Sequence, residues 1–236
     1  MAYSKSQVNR AGRHAAEIFE MARSNGLLSV KDRVDEFRAA VQVIEWWRGE
    51  HAKPLSRVAA NLRYYVAQEG KPTVAQRLKR TPTITDKLIR EPTMKLSRME
   101  DVGGVRAILP SQTAAYKVSS RLRKNWTITR FRDYVTEPKP SGYRALHLIG
   151  RNRGRFIEVQ LRTPRQDQWA NTVEGLAGIL PGLKSGDGPN PLRDYFRAAA
   201  EGFALLDEGK PVSVSTFAKV NELKAAADTF IQGKNQ

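Results

Sequence analysis

The chain has 236 residues, 40 of them Lys or Arg and 24 Asp or Glu, for a formal charge of +16. Large apolar residues recur throughout, which excludes a disordered chain, and the length fits one large domain or two small ones. The absence of Cys excludes a disulfide framework, a thiol nucleophile and a Cys-ligated zinc site.

No apolar run approaches the roughly 18 residues of a membrane span. The opening MAYSKSQVNRAGRHAAE lacks the apolar stretch of a signal peptide, so a cytoplasmic protein with no membrane partner is expected. Arg outnumbers Lys, 25 to 15, which suits a polyanion bound through its phosphates. Composition leaves open whether that polyanion is a nucleotide, RNA, DNA or a membrane surface.

The first 70 residues read as three helices. Over 4–24, Val8, Ala11, Ala15, Ile18, Phe19 and Ala22 recur at spacings of three and four, and Gly26 stops the run. Residues 30–49 repeat the pattern, and Pro54 opens a third helix ending at Gly70. The texture then changes. A strand is expected over 74–80, a helix from Thr81-Pro82, a β-branched strand over 103–110 and a helix over 111–125. Strands follow at 126–135, 144–150 and 155–163, the last two joined as a hairpin across the short break at 151–154. Helices are expected over 164–178, 192–208 and 214–232, with a loop over 184–191. Helices thus flank a central block of about four or five strands, a mixed α/β pattern with a largely antiparallel or mixed sheet.

Polar groups interrupt these patterns in four places. Arg77, Lys79, Arg80, Lys87 and Arg90 gather on one strand and the next helix; Arg77 and Lys79 share a strand face, and Lys87 and Arg90 share a helix face. They could cradle a triphosphate or form a solvated basic face. Asp101 lies just before Gly103-Gly104, either as a turn residue or as a Mg²⁺ ligand at a strand mouth. Around the PKPSG loop stand Lys139, Tyr143, Arg144 and His147, where an aromatic beside cations could stack on a base or simply pack. On 155–163, Phe156, Glu158, Gln160 and Arg162 share one face, opposite an apolar one. Glu158 there is either a charge-pairing residue or a second metal ligand beside Asp101.

The ordered blocks QRLKRTPTITDKL, MEDVGGVRAI, RDYVTEPKPSGYRALHL and IEVQLRTPRQDQWANTVE resemble the synthetase domain of RelA/SpoT-type alarmone synthetases over roughly residues 54–208. SKSQVNRAGR and WWRGEHAKPL resemble a narrower branch that includes toxic small alarmone synthetases of toxin–antitoxin and phage-defence systems. The resemblance implies an α+β fold, with a mixed, mostly antiparallel five-stranded sheet packed with helices in a nucleotidyltransferase-like synthetase domain over 54–210, an N-terminal helical segment over 1–53 and a C-terminal helix over 211–236. It implies transfer of the β,γ-pyrophosphate of ATP to a ribose 3′-hydroxyl, with release of AMP and Mg²⁺ as cofactor.

Carried over position by position, the resemblance assigns Arg77, Lys79, Lys87, Arg90 and Arg106 to ATP. Asp101 and Glu158 become metal ligands and, with Gln160, the catalytic set; Lys139, Tyr143, Arg144 and His147 go to the acceptor. Trp169-Ala170 is followed by Asn171-Thr172-Val173-Glu174 rather than the Glu-His of many housekeeping members, and Asp167 stands where some small synthetases carry a guanosine-contacting residue. Residues 121–165 hold 12 basic and 3 acidic side chains, a local +9, more than a second nucleotide requires. That surplus, with Arg130, Arg132, Arg151, Arg153 and Arg155 as candidate RNA contacts, favours tRNA over a nucleotide as acceptor; the resemblance to the toxic branch implies its 3′ CCA end as the target, a toxin inhibiting translation and an antitoxin partner, and no DNA partner is expected. The alternatives are GTP or GDP as acceptor, giving (p)ppGpp, and a non-catalytic RNA-binding module on the same fold.

Overall fold

The computed structural model describes residues 2–177, 182–183, 186–187 and 189–234. Parts of the expected loop at 184–191 and the last residue of the helix expected over 164–178 lie outside the described residues. The elements run α1 (Lys5–Asn25), α2 (Val34–Gly49), α3 (Ala52–Val66), β1 (Thr73–Leu78), α4 (Thr81–Arg90), β2 (Gly103–Ile108), α5 (Gln112–Asn125), β3 (Ile128–Asp133), β4 (Leu146–Asn152), β5 (Arg155–Arg162), α6 (Pro164–Ala177), α7 (Asn190–Asp207) and α8 (Val214–Lys234). Short 3₁₀ turns at Leu27–Arg33, Ala67–Glu69 and Leu96–Arg98 complete them.

Local chemistry sets the boundaries. Ser4 caps α1 in a capping box with Gln7, Ser111 caps α5 through the Ala114 amide, and Pro82 sits in the first turn of α4. The β4–β5 hairpin closes at the Asn152–Arg155 pair, with Arg153 (φ 49°) and Gly154 (φ 75°) both left-handed as a tight hairpin turn demands.

The five strands lie in the order β1-β2-β5-β4-β3. Only β2 and β5 run parallel; the other three pairings are antiparallel. The expected mixed, mostly antiparallel sheet is therefore the sheet observed. One face carries Val105, Ala107, Leu146, Leu148, Ile157, Val159 and Leu161 against α3 and α5, whose Leu55, Val58, Leu62, Val118 and Leu122 close the main core. Fully burying each Val, Leu or Ile among them stabilises the fold by about 1.5–3 kcal/mol.

Two smaller cores flank it. Helices α1 and α2 bury Val8, Ala15, Ile44 and Trp47 against Ile84 and Leu88 of α4 and Leu96, Met99 and Val102 beyond it. The N-terminal helices thus share one core with residues 84–102, across the boundary expected at residue 53. Helices α6, α7 and α8 meet around Trp169, Val173, Phe196 and Ala227. Among the described residues no helix is long and apolar enough to cross a membrane.

Candidate active site

Strand register decides which side chains meet on the second face of the sheet. Because partners across a ladder point the same way, one row runs Arg77–Gly104–Glu158–Ile149–Arg130 and the next Ala75–Arg106–Gln160–His147–Arg132. Two rows of one sheet face thus hold five of the residues singled out from the sequence, Arg77, Arg106, His147, Glu158 and Gln160, together with Arg130 and Arg132. A cavity of about 1160 Å³ opens over this face. It exceeds the roughly 300–1,000 Å³ typical of a site for one small ligand.

On one side, Lys79 follows β1 and Lys87 stands on α4. Both ammonium groups bond the Asp101 carboxylate, Lys79 Nζ to Oδ2 and Lys87 Nζ to Oδ1, each at 2.9 Å. Burial opposes the charged carboxylate, but the two lysines outweigh it and hold its pKa down at about 2. Arg77 and Arg90 line the same end of the cavity; Arg77 approaches Glu174 of α6 at 3.5 Å.

On the other side, Tyr143, His147, Glu158 and Gln160 form a hydrogen-bonded wall. Tyr143 Oη lies 2.7 Å from His147 Nε2, His147 Nδ1 lies 2.9 Å from Glu158 Oε1, and Gln160 Nε2 donates to Glu158 Oε2 at 2.8 Å. Burial pushes the Glu158 carboxyl up, yet the hydrogen bond from His147 brings it below its ordinary value. Burial raises the Tyr143 phenol despite the opposing Arg162 guanidinium, so Tyr143 keeps its proton. The Lys139 ammonium lies 4.8 Å from the centre of the Tyr134 ring and 5.2 Å from that of Tyr143. The loop is pressed onto α7 at Gly142 (φ 93°), where a Cβ would come within 2.9 Å of Ala200 Cβ.

Several expected residues stand elsewhere. Arg144 is not among the lining residues of this cavity; its guanidinium donates to the Val135 carbonyl at 2.6 Å and borders a small groove against α7. The pattern of the chain anticipates this, since β4 starts only at Leu146 and residue 144 alternates away from His147. Arg106 is turned aside to Asp167 (2.9 Å) and Asn171 (3.1 Å). Among the RNA candidates, Arg130 and Arg132 reach Glu100 and line the cavity, and Arg151 lines it too while lying 4.6 Å over Phe156. Arg155 packs 4.2 Å over Trp47 and pairs with Glu50, and Arg153 occupies the hairpin turn.

Arg162 and Asp167 are the residues that carry more than the sequence reading gave them. Arg162 is buried, donates to Tyr143, Gln160 and Asp167, and joins the wall into one network. Its place on the Glu158 face was visible from alternation; its partners were not.

Asp101 and Glu158 line one cavity, and the charge of Asp101 is felt at Glu158. Among the described residues no group of three or more His, Cys, Asp or Glu could hold a metal by itself. Two carboxylates facing a space for phosphates are nevertheless the donor set Mg²⁺ takes, since it completes its shell with water and phosphate oxygens.

A sequence profile described as "Region found in RelA / SpoT proteins" matches residues 76–177. The GTP pyrophosphokinase YwaC of Bacillus subtilis is 34% identical over 147 residues, 56% of this chain and 68% of that protein. The crystal structure of small alarmone synthetase 2 from B. subtilis superposes with a TM-score of 0.55 at 28% identity, covering 70% of this chain and 95% of that one. Small alarmone synthetase 1 from the same organism, bound to its product pppGpp, shares the fold with a TM-score of 0.59 at 24% identity, over 70% and 94% of the two chains. A relative this similar, matched over two thirds of its own length, shares more than a sheet: the chain belongs to the RelA/SpoT family of pyrophosphokinases.

Proposed function

We propose that the chain transfers the β,γ-pyrophosphate of ATP to the ribose 3′-hydroxyl of GTP or GDP, releasing AMP. The observation that carries this reading is a single cavity with a lysine-clamped carboxylate on one side and an aromatic, hydrogen-bonding wall with a carboxylate on the other. The relative named a GTP pyrophosphokinase and the fold shared with a pppGpp-bound synthetase support the guanine acceptor.

In this reading Arg77, Lys79, Lys87 and Arg90 take the ATP phosphates, the lysines exchanging part of their hold on Asp101 for phosphate oxygens. Tyr143 and Lys139 seat the acceptor base. Glu158 faces the 3′-hydroxyl and receives its hydrogen bond as the oxygen attacks the β-phosphorus. Asp101 and Glu158 would hold Mg²⁺, which supplies neutralisation of the phosphate charge. The remaining contribution is positioning, the larger part of catalysis in phosphoryl transfer.

The tRNA 3′ end is the second reading, and with it the toxin role and the antitoxin partner. Arg130, Arg132 and Arg151 at the cavity favour it, since RNA phosphates could run past them. Against it, Arg130 and Arg132 are already paired with Glu100, and Arg155 is taken up in packing on Trp47. Incubation with γ-³²P-ATP and Mg²⁺ plus GTP, GDP or tRNA separates the readings. Label in the guanine nucleotide is expected; label in tRNA alone replaces the first reading by the second, and no label in any acceptor sinks both.

A further inference from the structure

We propose that Arg162 is a positioning residue that holds Tyr143 and Gln160 in the one orientation in which both branches of the wall direct hydrogen bonds onto Glu158. The proposal rests on Glu158 standing at the reacting centre, as in the proposed function.

The argument is one of direction. A guanidinium can only donate, and an ionised carboxylate can only accept. Arg162 Nη2 donates to Tyr143 Oη at 2.9 Å and to Gln160 Oε1 at 2.8 Å. Tyr143 Oη, accepting from Arg162, also lies 2.7 Å from His147 Nε2. Because an ionised Glu158 only accepts, His147 carries its proton on Nδ1, facing Oε1 at 2.9 Å, and the neutral ring takes the Tyr143 hydroxyl proton at Nε2. In the second branch, the Gln160 carbonyl is turned to Arg162, so its amide nitrogen faces Glu158 Oε2 at 2.8 Å. Each branch runs from the same donor-only group to a different oxygen of the same acceptor-only group. Both carboxylate oxygens are thereby fixed in plane, each with a lone pair left toward the cavity.

Only arginine does this with one side chain. The two hydrogens of Nη2 serve the two branches, while Nη1 is tied to Asp167 Oδ1 at 3.0 Å. Lysine offers a point charge without the planar fork. Asp167 does not depend on Arg162 alone: Arg106 reaches its Oδ1 at 2.9 Å and Asn171 its Oδ2 at 2.9 Å. Removing Arg162 therefore leaves no orphaned carboxylate to unfold the chain.

The test uses the full chain. Arg162→Met is expected to lower kcat about 10–100-fold, the range for losing a group that orients a catalytic carboxylate, with the KM for ATP unchanged; Arg162→Lys restores part of it. In a Tyr143→Phe/Gln160→Met background, adding Arg162→Met should cost little more, because the groups it acts through are gone. The chain holds three histidines, so ¹⁵N spectra resolve His147, assigned through His147→Asn, and are expected to show its proton on Nδ1. A proton on Nε2 in the wild type overturns the proposal even if Arg162→Met does not fold. Full kcat in Arg162→Met, or an equal loss in the wild-type and the doubly substituted backgrounds, overturns it as well. If the wild type transfers label to no acceptor, the functional reading fails while the histidine spectra still decide the direction of the network.

Discussion

The wall built from β1, α4 and the Asp101 loop is held by full charges, two ammonium groups on one carboxylate, whereas the wall across the cavity is held by a directed network ending on Glu158. The contrast separates two ways of making a site. Ion pairs are exchangeable: Lys79 and Lys87 can trade Asp101 for a phosphate and lose little, because every partner is an anion. The network is not exchangeable, since breaking one link leaves a buried donor or acceptor without a partner, at about 1–3 kcal/mol each. The first wall suits a ligand that arrives and leaves with its charge; the second suits a geometry kept constant between turnovers.

The sharpest way to break this comparison is Glu158→Gln. The new amide would set an N–H donor against either His147 Nδ1–H or Gln160 Nε2–H, disrupting the wall while preserving its volume. Transfer is expected to fall about 10²–10⁴-fold, the range for losing a positioned proton acceptor, with the circular dichroism spectrum unchanged. Wild-type turnover in this variant would remove Glu158 from the reacting centre.

Next in size are Lys79→Met and Lys87→Met. A hydrogen bond to a charged group is worth about 1.5–3 kcal/mol, so each should raise the KM for ATP roughly 10–100-fold, with a smaller change in the KM for the acceptor. A reversed pattern, with the acceptor KM moving more, would exchange the roles of the two walls.

What could be read from the sequence follows the same division. Alternation along 155–162 placed Glu158, Gln160 and Arg162 on one face, and the sheet, its strands and the hairpin were legible because side-chain period and turn chemistry are local. The cluster from Arg77 to Arg90 was legible for the same reason. Three things were not. The 3₁₀ turn at Leu27–Arg33 has no periodic signal, and its Leu27 and Leu28 are exposed. The strand expected over 126–135 shrinks to Ile128–Asp133 because Trp126 still closes α5 through Leu122 and the Asp133 carboxylate accepts from the Val135 and Thr136 amides in a turn. The partners of Arg162, Arg106 and Arg155 depend on which strand lies beside which and which helix folds over them, and a charge count assigns such residues to solvent. The local +9 over 121–165 was read as surplus; much of it is balanced by Glu50, Glu100, Asp167 and Asp207.

The charged wall also carries a pH signature. Asp101 has a folded pKa of about 2 against an ordinary 3.8. Its ionised form is thus favoured in the folded chain, and the stability it adds is fully present above about pH 4 and lost as pH falls toward 2. The magnitude is about 2 kcal/mol. Thermal unfolding of the wild type and Asp101→Asn should differ by about this much near pH 6 and converge near pH 2. A gap that persists unchanged to pH 2 would mean the lysines stabilise the loop by some route other than the carboxylate charge.

The smallest expected effect tests the boundary of the site. Arg155 lies beyond the cavity, 4.2 Å over the Trp47 ring, with Glu50 at 3.2 Å. The pair with Glu50 is half exposed and contributes little, while the stacked guanidinium contributes about 1 kcal/mol. Arg155→Ala should therefore lower stability by about that amount, read as a shift in denaturant midpoint, and leave the salt dependence of any RNA binding unchanged. Losing a phosphate contact would instead reduce that salt slope by nearly one. A reduced slope with unaltered stability would return Arg155 to the nucleic-acid surface and strengthen the tRNA acceptor. The same pair of measurements on Arg151, which lies at the cavity over Phe156, is expected to show the opposite balance if RNA phosphates do run past it.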